Sequence, residues 1–406
     1  MSSSGPDKAR LWLFFMLLTV ILFAFQEAVF RFVFPVPEIS NFNRINYSMM
    51  VSGESEGEIR PLSNESYSWA SDPDGEAFVH HLNLYGFRDS TWPVEGNNRV
   101  MFVGDSFVEG FMSTDNETIA DGFEAAARSE GYPMETMNLG TGASGIADYL
   151  EVIRDAVPVF RPEIVVLVLY GNDFPAAEDV GIHLDSAVAA VPTSSWIPRL
   201  YVVVSRLVRG ERVATRWIKK PFMFLPTADS GRSPLNDQAF LEHVSAFVDP
   251  VLLNSMQQGR FNPFVINEYT NYELHLKVPA NIEGVIERTR DFVAAHGGQL
   301  LLVHIPYRSQ VSDHYLQYTK QFDKNKQPVS LMSAQYQFHA EYLRAESERL
   351  DVPFLDMTTI LRQHEAKGQR MYWDYDEHMK NTSYLMTGEE IYSFWKSSYK
   401  SDEPAQ

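Results

Sequence analysis

The sequence predicts an α/β fold with a five-stranded parallel sheet, preceded by a transmembrane helix and interrupted by a mid-chain insertion. Apolar strand-like runs alternate with helical patterns after residue 98, which is typical of strand–helix–strand units. The third run, "EIVVLVLY" (163–170), is continuously apolar, as expected of a strand whose two faces are both covered. The segment "LWLFFMLLTVILFAF" (11–25) contains no charge.

Residues 1–35 are interpreted as a short cytoplasmic stub followed by a transmembrane anchor. The apolar character resumes after Glu27, so that residues 11–34 together reach membrane thickness. Lys8 and Arg10 precede this segment, which favours a cytoplasmic N-terminus and an extracytoplasmic remainder, facing the periplasm or the cell exterior. A cleaved signal peptide is the competing interpretation, but no small-x-small cleavage site follows the apolar stretch.

A polar connector and one α/β domain follow the anchor. Residues 36–78 are rich in Ser, Asn, Glu and Gly and are interpreted as a juxtamembrane connector with some strand character. Residues 79–400 form the α/β domain, and about 176–280 are an insertion because the alternation stops there. Within the insertion, residues 199–220 are locally basic. We interpret them as a solvated flank rather than a membrane-binding surface, because their charges do not segregate onto one helical face.

Strands and helices alternate through the rest of the domain. This order predicts a parallel sheet with right-handed crossovers. The predicted strands are 99–104, 134–139, 163–170, 299–306 and 352–357, and the predicted helices are 117–131, 146–160, 282–297, 333–350 and 387–397.

Composition excludes several classes of function. The net charge of −19 argues against a nucleic-acid partner, because phosphate backbones require clustered Lys and Arg. The absence of cysteine excludes disulfides, thiolate catalysis and Cys-ligated zinc. No metal and no cofactor are expected. No G-x-G-x-x-G follows the first strand, and no His/Asp cluster other than Asp376-Glu377-His378 has metal-ligand spacing.

Polar residues follow three predicted strands at the point where each strand ends. They are Gly104-Asp105-Ser106, the turn "NLGTGASG" (138–145), and Gly171-Asn172-Asp173. In a parallel sheet the carboxyl ends of the strands share one edge, where ligands bind. Asp and Ser are also common helix N-caps, so the first triplet by itself has an ordinary structural explanation.

A serine nucleophile needs a base within hydrogen-bond reach. His378 in "YWDYDEHMKNTSY" is the candidate, since Asp376 precedes it by two residues and could orient its imidazole. Seven other histidines are interpreted as core or surface residues: His80, His81, His243, His275, His296, His339 and His364.

Together these segments resemble the SGNH (GDSL-type) hydrolase superfamily. The resemblance rests on "GDSFVEG", on Asn138 with its following glycines, on "YGND" and on "DEHMK", which occur in the family's order. It covers roughly residues 80–400 apart from the insertion, and it implies a three-layer α/β/α, flavodoxin-like fold. The lead-in "LNLYGFRDS" (82–90) is similar to membrane-anchored members associated with bacterial surface glycans.

The resemblance also implies roles for individual residues. Ser106 would be the nucleophile, His378 the base and Asp376 the acid that orients it. The oxyanion hole would combine the Ser106 backbone N–H, the Asn172 side chain and a third N–H in the turn after Asn138. That third donor is left open between Ala143, where alignment without gaps places it, and Gly145; Asp105 and Asp173 would have supporting roles.

Three positions depart from the family pattern. Tyr170 replaces the first glycine of G-x-N-D, so its backbone must avoid positive φ. The acid lies two residues before His378 rather than three, and Ser383 replaces a family glycine. None of these changes removes a catalytic group.

The function predicted is that of a membrane-anchored serine esterase. Its substrates would be acylated, in the first place O-acetylated, polysaccharides or lipid-linked glycans, cleaved through an acyl-enzyme. The alternatives are an O-acyltransferase of the same fold, supplied by a partner membrane protein of glycan assembly, and a non-catalytic glycan-assembly subunit.

Overall fold

The computed structural model describes the N-terminal helix and most of the α/β domain. It describes residues 5–29, 65–69, 77–81, 83, 87–90, 92–93, 96–142, 144–174, 283–316, 337–374 and 376–399, with a few single positions between 198 and 254. Almost all of the predicted insertion, with its basic segment, lies outside the described residues, as does Ala143.

The strands are β1 (Glu65–Trp69), β2 (Ala77–His81), β3 (Arg99–Val103), β4 (Glu135–Asn138), β5 (Ile164–Leu169), β6 (Gln299–His304) and β7 (Phe354–Asp356). The helices are α1 (Gly5–Ala28), α2 (Ser106–Glu109), α3 (Ile119–Ser129), α4 (Ile146–Phe160), α5 (Glu283–Ala295), α6 (Arg308–Val311), α7 (Phe338–Leu350), α8 (Thr358–Ala366) and α9 (Asn381–Tyr399).

The central sheet has five parallel strands in the order β4-β3-β5-β6-β7. Counted within this sheet, the order is 2-1-3-4-5, which is that of flavodoxin-like folds. The order in which strands are added reverses between β3 and β5, whose register pairs Val100 with Ile164. The predicted fold class is confirmed, and its ligand-binding crevice is expected between the carboxyl ends of these two strands.

Each face of the sheet is covered by its own apolar cluster. Along β5, Val165, Leu167 and Leu169 belong to one cluster, while Val166 and Val168 belong to the other. The first cluster includes side chains of α4, α5 and α7, and the second includes those of α3, α8 and α9. Successive strand side chains point to opposite faces, so this alternation produces the three-layer α/β/α arrangement.

Element boundaries differ from the predictions mainly near the ends of the chain. The last helix begins at Asn381 rather than at residue 387, and α8 was not predicted as a separate helix. β1 and β2 form an antiparallel hairpin across the predicted boundary between connector and domain, with Glu65 opposite His81. The hairpin packs through Phe78 against Phe111 and Met112, a contact across the chain that sequence periodicity does not report.

Helix α1 matches the position of the predicted anchor. Its segment Arg10–Ala28 has 19 residues and a mean hydropathy of 2.0, which is long and apolar enough to cross a membrane. Large apolar side chains along it, such as Trp12 and Phe25, are exposed.

Candidate active site

The candidate nucleophile lies at the first turn of α2, directly after β3. Asp105 caps this helix, since its Oδ1 accepts the backbone N–H of Phe107 at 2.9 Å. Ser106 follows as the first helical residue and is partly exposed, whereas Asp105 is buried. The helix-capping explanation of this triplet is therefore correct for Asp105, and it leaves the Ser106 hydroxyl at the carboxyl edge of the sheet.

The structure brings His378 to Ser106 across 272 residues of sequence. His378 Nε2 lies 2.6 Å from Ser106 Oγ. On the other side of the ring, Nδ1 contacts Asp376 Oδ1, which also accepts the His378 backbone N–H at 2.8 Å. A carboxylate only accepts, so Nδ1 carries the ring proton and Nε2 accepts the Ser106 hydroxyl proton. Ser106, His378 and Asp376 thus have the order of a catalytic triad.

Two phenylalanine rings hold the His378 imidazole in place. Phe107 stacks on it with a centroid distance of 5.2 Å, and Phe111 lies at 4.6 Å. The backbone carbonyl of Phe111 accepts a hydrogen bond from the buried Tyr384 hydroxyl at 2.9 Å. The imidazole therefore faces Ser106 in a largely apolar setting, with only 11 % of its side chain exposed.

The third predicted segment lies beside the nucleophile, on the one-turn 3-10 helix Gly171–Asp173. The Asn172 side chain lies next to the Asp105 carboxyl group and favours its ionised form. Asp173 is buried, and its Oδ2 accepts the Tyr170 backbone N–H at 2.7 Å, while the Tyr149 hydroxyl donates to Oδ1. Asp173 thus fixes the turn that carries Asn172.

Asp105 and Asp173 form a buried acidic pair beneath the site. Burial raises the pKa of Asp105 to about 6, although the Phe107 N–H and the His378 charge favour ionisation. Burial and the Asp105 charge raise the pKa of Asp173 well above its ordinary value, although hydrogen bonds from Tyr149 and Tyr170 oppose this shift. Two neighbouring buried carboxyl groups disfavour double ionisation, so the pair retains a proton to higher pH than isolated carboxyl groups do.

The turn after β4 approaches Ser106 from the other side. A Cβ added to Gly142 would lie 3.9 Å from the Ser106 Cβ. The Gly142 N–H donates to Glu109 Oε2 at 2.7 Å, and the Gly145 N–H donates to Asp148 Oδ2 at 3.2 Å at the start of α4. The Gly145 N–H therefore already has a partner at the start of α4. Ala143 lies outside the described residues, so the identity of the third oxyanion donor stays a prediction.

Tyr170, the departure from the family glycine, has extended backbone with φ −119°, as its side chain requires. Its ring packs on Phe107 with a centroid distance of 4.4 Å and on Tyr307 at 4.7 Å. Its hydroxyl donates to Glu377 Oε2 at 3.0 Å. Tyr170 therefore connects α2, which carries Ser106, to the segment that carries His378.

Glu377 is also paired with Arg308, and both side chains are almost completely buried. Arg308 Nε donates to Glu377 Oε1 at 3.2 Å, and its Nη1 donates to the Trp373 carbonyl at 2.8 Å. Arg308 lies on α6 just after β6, so it attaches Trp373 and Glu377 to the end of the sheet. Arg308 has no neighbouring motif, so the sequence does not mark it as a residue of the site.

The lead-in "LNLYGFRDS" supports the site through two adjacent residues. The buried Arg88 guanidinium donates to the carbonyls of Glu109 and Ser113 at 3.1 and 2.9 Å and pairs with Asp115 at 3.3 Å. Asp89 Oδ2 accepts the backbone N–H of Asn138 at 2.8 Å. Arg88 therefore holds the segment that follows Ser106, and Asp89 holds the start of the turn after β4. The motif "LNLYGFRDS" contains both residues and is the sequence signal that could identify them.

No protein-family model matches the sequence, and no curated protein matches it. Among solved structures, TesA is 12% identical with a TM-score of 0.35, over 74% of this chain and 98% of that chain. The acetyl xylan esterase AlAXEase is 12% identical with a TM-score of 0.35, over 73% and 98%. A catalytic mutant of Axe2, an acetylxylan esterase from Geobacillus stearothermophilus, is 9% identical with a TM-score of 0.36, over 73% and 94%.

Among the described residues, no group of three or more His, Asp or Glu side chains has a metal-binding arrangement. In motif order, sheet order and side-chain placement, the chain resembles the SGNH hydrolase superfamily.

Proposed function

We propose that the chain is an SGNH-type serine esterase that hydrolyses O-acyl esters through an acyl-enzyme. The observation that carries this proposal is the 2.6 Å contact between Ser106 Oγ and His378 Nε2, with Asp376 on the opposite ring nitrogen. A serine hydroxyl is a weak nucleophile unless a base removes its proton, and this arrangement supplies the base, the acceptor tautomer and the orienting carboxylate.

The reaction follows from these positions. Ser106 Oγ attacks the ester carbonyl while its proton moves to His378 Nε2. The carbonyl oxygen becomes negatively charged near the Ser106 backbone N–H and the Asn172 side chain, which are the proposed oxyanion donors. His378 then protonates the departing alcohol, which leaves an acyl group on Ser106. Water activated by the same imidazole hydrolyses this ester and restores the serine.

The proposed substrates are O-acyl, in the first place O-acetyl, groups of a polysaccharide or lipid-linked glycan near a membrane. Support for the location comes from α1, whose apolar span follows Lys8 and Arg10. This charge order favours a cytoplasmic N-terminus and an extracytoplasmic catalytic domain. Reporter fusions after residue 35 and at the C-terminus would test the topology, and a cytoplasmic reporter signal at either position would reject it.

The direct test uses the full-length chain in detergent and a fluorophosphonate probe. We expect covalent labelling that maps to Ser106 by mass spectrometry, and turnover of p-nitrophenyl acetate that disappears in Ser106→Ala. Equal slow turnover by wild type and Ser106→Ala would reject catalysis. A p-nitrophenyl series from acetyl to octanoyl would define the acyl group. Net transfer to an added glycan with little hydrolysis would favour an acyltransferase instead.

A further inference from the structure

Glu109 is a fully buried carboxylate next to the nucleophile that the proposed reaction does not use. It ends α2, three residues after Ser106, and its side chain is 0% exposed. A buried carboxylate is unfavourable unless hydrogen bonds or opposite charges compensate it. The partners of Glu109 therefore indicate why the fold places it there.

The first partner is the turn after β4. Glu109 Oε2 accepts the Gly142 N–H at 2.7 Å. The backbone of the turn also packs closely against α2 at Gly140 and Gly142. A Cβ added to Gly140 would lie 2.0 Å from the Glu109 backbone nitrogen, and one added to Gly142 would lie 2.7 Å from Glu109 Oε2. The position of the turn relative to Ser106 is thus set by Glu109 and by the backbone of its helix.

The second partner comes from the β1–β2 hairpin. His80 on β2 places Nδ1 at 3.5 Å from Glu109 Oε1, and the His80 side chain is also 0% exposed. The next residue, His81, contacts Asp115, which follows α2 and pairs with Arg88. Burial by itself would raise the pKa of Glu109, but His80, the Gly142 N–H and Arg88 together lower it below its ordinary value. Burial also lowers the pKa of His80, which favours its neutral form. The geometric support of Glu109 is therefore the hydrogen bond from the Gly142 N–H, with His80 in contact on the other carboxyl oxygen.

We propose that Glu109 is a positioning residue that holds the Gly142 turn in register with Ser106, and that the upstream hairpin keeps Glu109 in place through His80. This inference rests on the proposed function, since the turn matters as part of an oxyanion hole. Oxyanion stabilisation depends on donors already placed before the charge develops. A support that fixes the turn acts on the transition state more than on substrate binding.

The test compares Glu109→Ala and Glu109→Gln in the full-length chain. The glutamine side-chain oxygen can still accept the Gly142 N–H, whereas alanine cannot. We expect Glu109→Ala to lower kcat for p-nitrophenyl acetate about ten- to a hundredfold per active site, titrated with the fluorophosphonate, since displacements of about 1 Å near reacting groups have effects of this size. KM should change less than about threefold, and Glu109→Gln should recover most of kcat. Glu130→Ala, which removes an exposed glutamate paired with Lys396, is the matched control and should behave as wild type.

Two further measurements separate positioning from folding. The affinity for a boronic acid that forms a tetrahedral adduct with Ser106 should fall in parallel with kcat/KM across the variants. His80→Phe should also lower kcat, and combining it with Glu109→Gln should add little, because the two residues act in one chain of contacts. If Glu109→Ala does not fold, His80→Phe replaces it in the comparison: its kcat should be lower than that of wild type, whereas the kcat of Glu109→Gln should stay close to wild type.

Several outcomes would overturn the inference. The first is a wild-type kcat per titrated site in Glu109→Ala. The second is an equal loss of kcat in Glu109→Gln and Glu109→Ala. The third is a boronic acid affinity of Glu109→Ala equal to that of wild type. The rate at which the fluorophosphonate reacts with Ser106 also depends on the oxyanion donors of the turn. This rate tests the inference whether the enzyme passes its acyl group to water or to a sugar. Failure of wild type to use Ser106 at all would instead reject the proposed function.

Discussion

The Tyr170 hydroxyl donates a hydrogen bond to Glu377 at 3.0 Å and joins two parts of the site that lie 207 residues apart in the sequence. Tyr170 follows β5 and packs on Phe107, which stacks on His378. Glu377 lies between Asp376 and His378, so its side chain anchors the segment that bears both residues. The position where the SGNH family has a glycine therefore holds a structural support for the proposed triad.

Loss of Arg308 should destabilise the protein much more than loss of the Tyr170 hydroxyl. Tyr170→Phe removes one hydrogen bond of Glu377 and is expected to lower the free energy of unfolding by about 1 kcal/mol. Arg308→Met leaves Glu377 buried without its counter-charge, for which about 3–5 kcal/mol is expected. Urea unfolding of each variant in detergent would measure the difference.

A double variant provides the control for this comparison. Arg308→Met combined with Glu377→Gln removes the uncompensated charge and should recover part of the lost stability. Equal stability of Arg308→Met and Tyr170→Phe would show that the Arg308–Glu377 pair does not support the His378 segment.

Ser106 and His378 should act as one unit in catalysis. Removing either side chain prevents the same proton transfer, so Ser106→Ala and His378→Ala are each expected to lower kcat by about four orders of magnitude or more. The double variant should be no slower than either single variant. Assays with p-nitrophenyl acetate would measure this, with Glu130→Ala as the control on the surface. Additive losses in the double variant would mean that the two residues assist different steps.

The strand order along the chain and the strand ends could be predicted because they depend on local patterns. The strand Ile164–Leu169 was recognisable as buried on both faces because its apolar run is continuous. The meeting of Ser106 with His378 followed from the rule that parallel strands share a carboxyl edge. The Arg308–Glu377 pair could not be predicted in this way, since each charged residue looks solvated in sequence and only the packed fold shows both to be buried.

The pairing of the hairpin and the proposed role of Glu109 cannot be predicted from the sequence for a related reason. "AFVHH" (77–81) is short, and its pairing with β1 is antiparallel and separate from the central sheet. His80 is buried, as a core residue should be, but its contact with Glu109 at the carboxyl edge cannot be predicted from the sequence. Contacts between elements far apart in sequence leave no periodic signal.

The pH dependence of stability should contain a contribution from Asp89. Burial raises the pKa of Asp89 from 3.8 to about 6, although the Asn138 N–H, Trp92 and Ser90 favour its ionised form. The native state therefore keeps this proton to higher pH than the unfolded chain. The resulting stabilisation is full below the unfolded pKa of 3.8 and is lost as pH rises through about 6.

Asp89→Asn isolates this contribution because other carboxyl groups titrate in both proteins. Between pH 7.5 and pH 5, wild type should gain about 1 kcal/mol of unfolding free energy relative to the variant. Thermal unfolding at the two pH values would measure this as a change in the Tm difference. A Tm difference independent of pH would show that Asp89 is ionised throughout this range in the folded protein.

Alanine should have opposite effects at two helical glycines, because one lies where α9 packs closely on α3 and the other faces open space. A Cβ added to Gly388 in α9 would lie 2.1 Å from the Ile119 carbonyl oxygen, whereas one added to Gly284 in α5 meets nothing within 4 Å. Gly388→Ala must separate the two helices, and overpacking of this kind costs about 1–3 kcal/mol. Gly284→Ala only gains helix propensity, up to about 1 kcal/mol. We therefore expect Gly388→Ala to lower the Tm and Gly284→Ala to keep or raise it.

Because α9 begins three residues after His378, Gly388→Ala should also lower kcat. Equal Tm values for Gly388→Ala and wild type would mean that α3 and α9 can move apart without loss, so that α9 does not fix the position of the base.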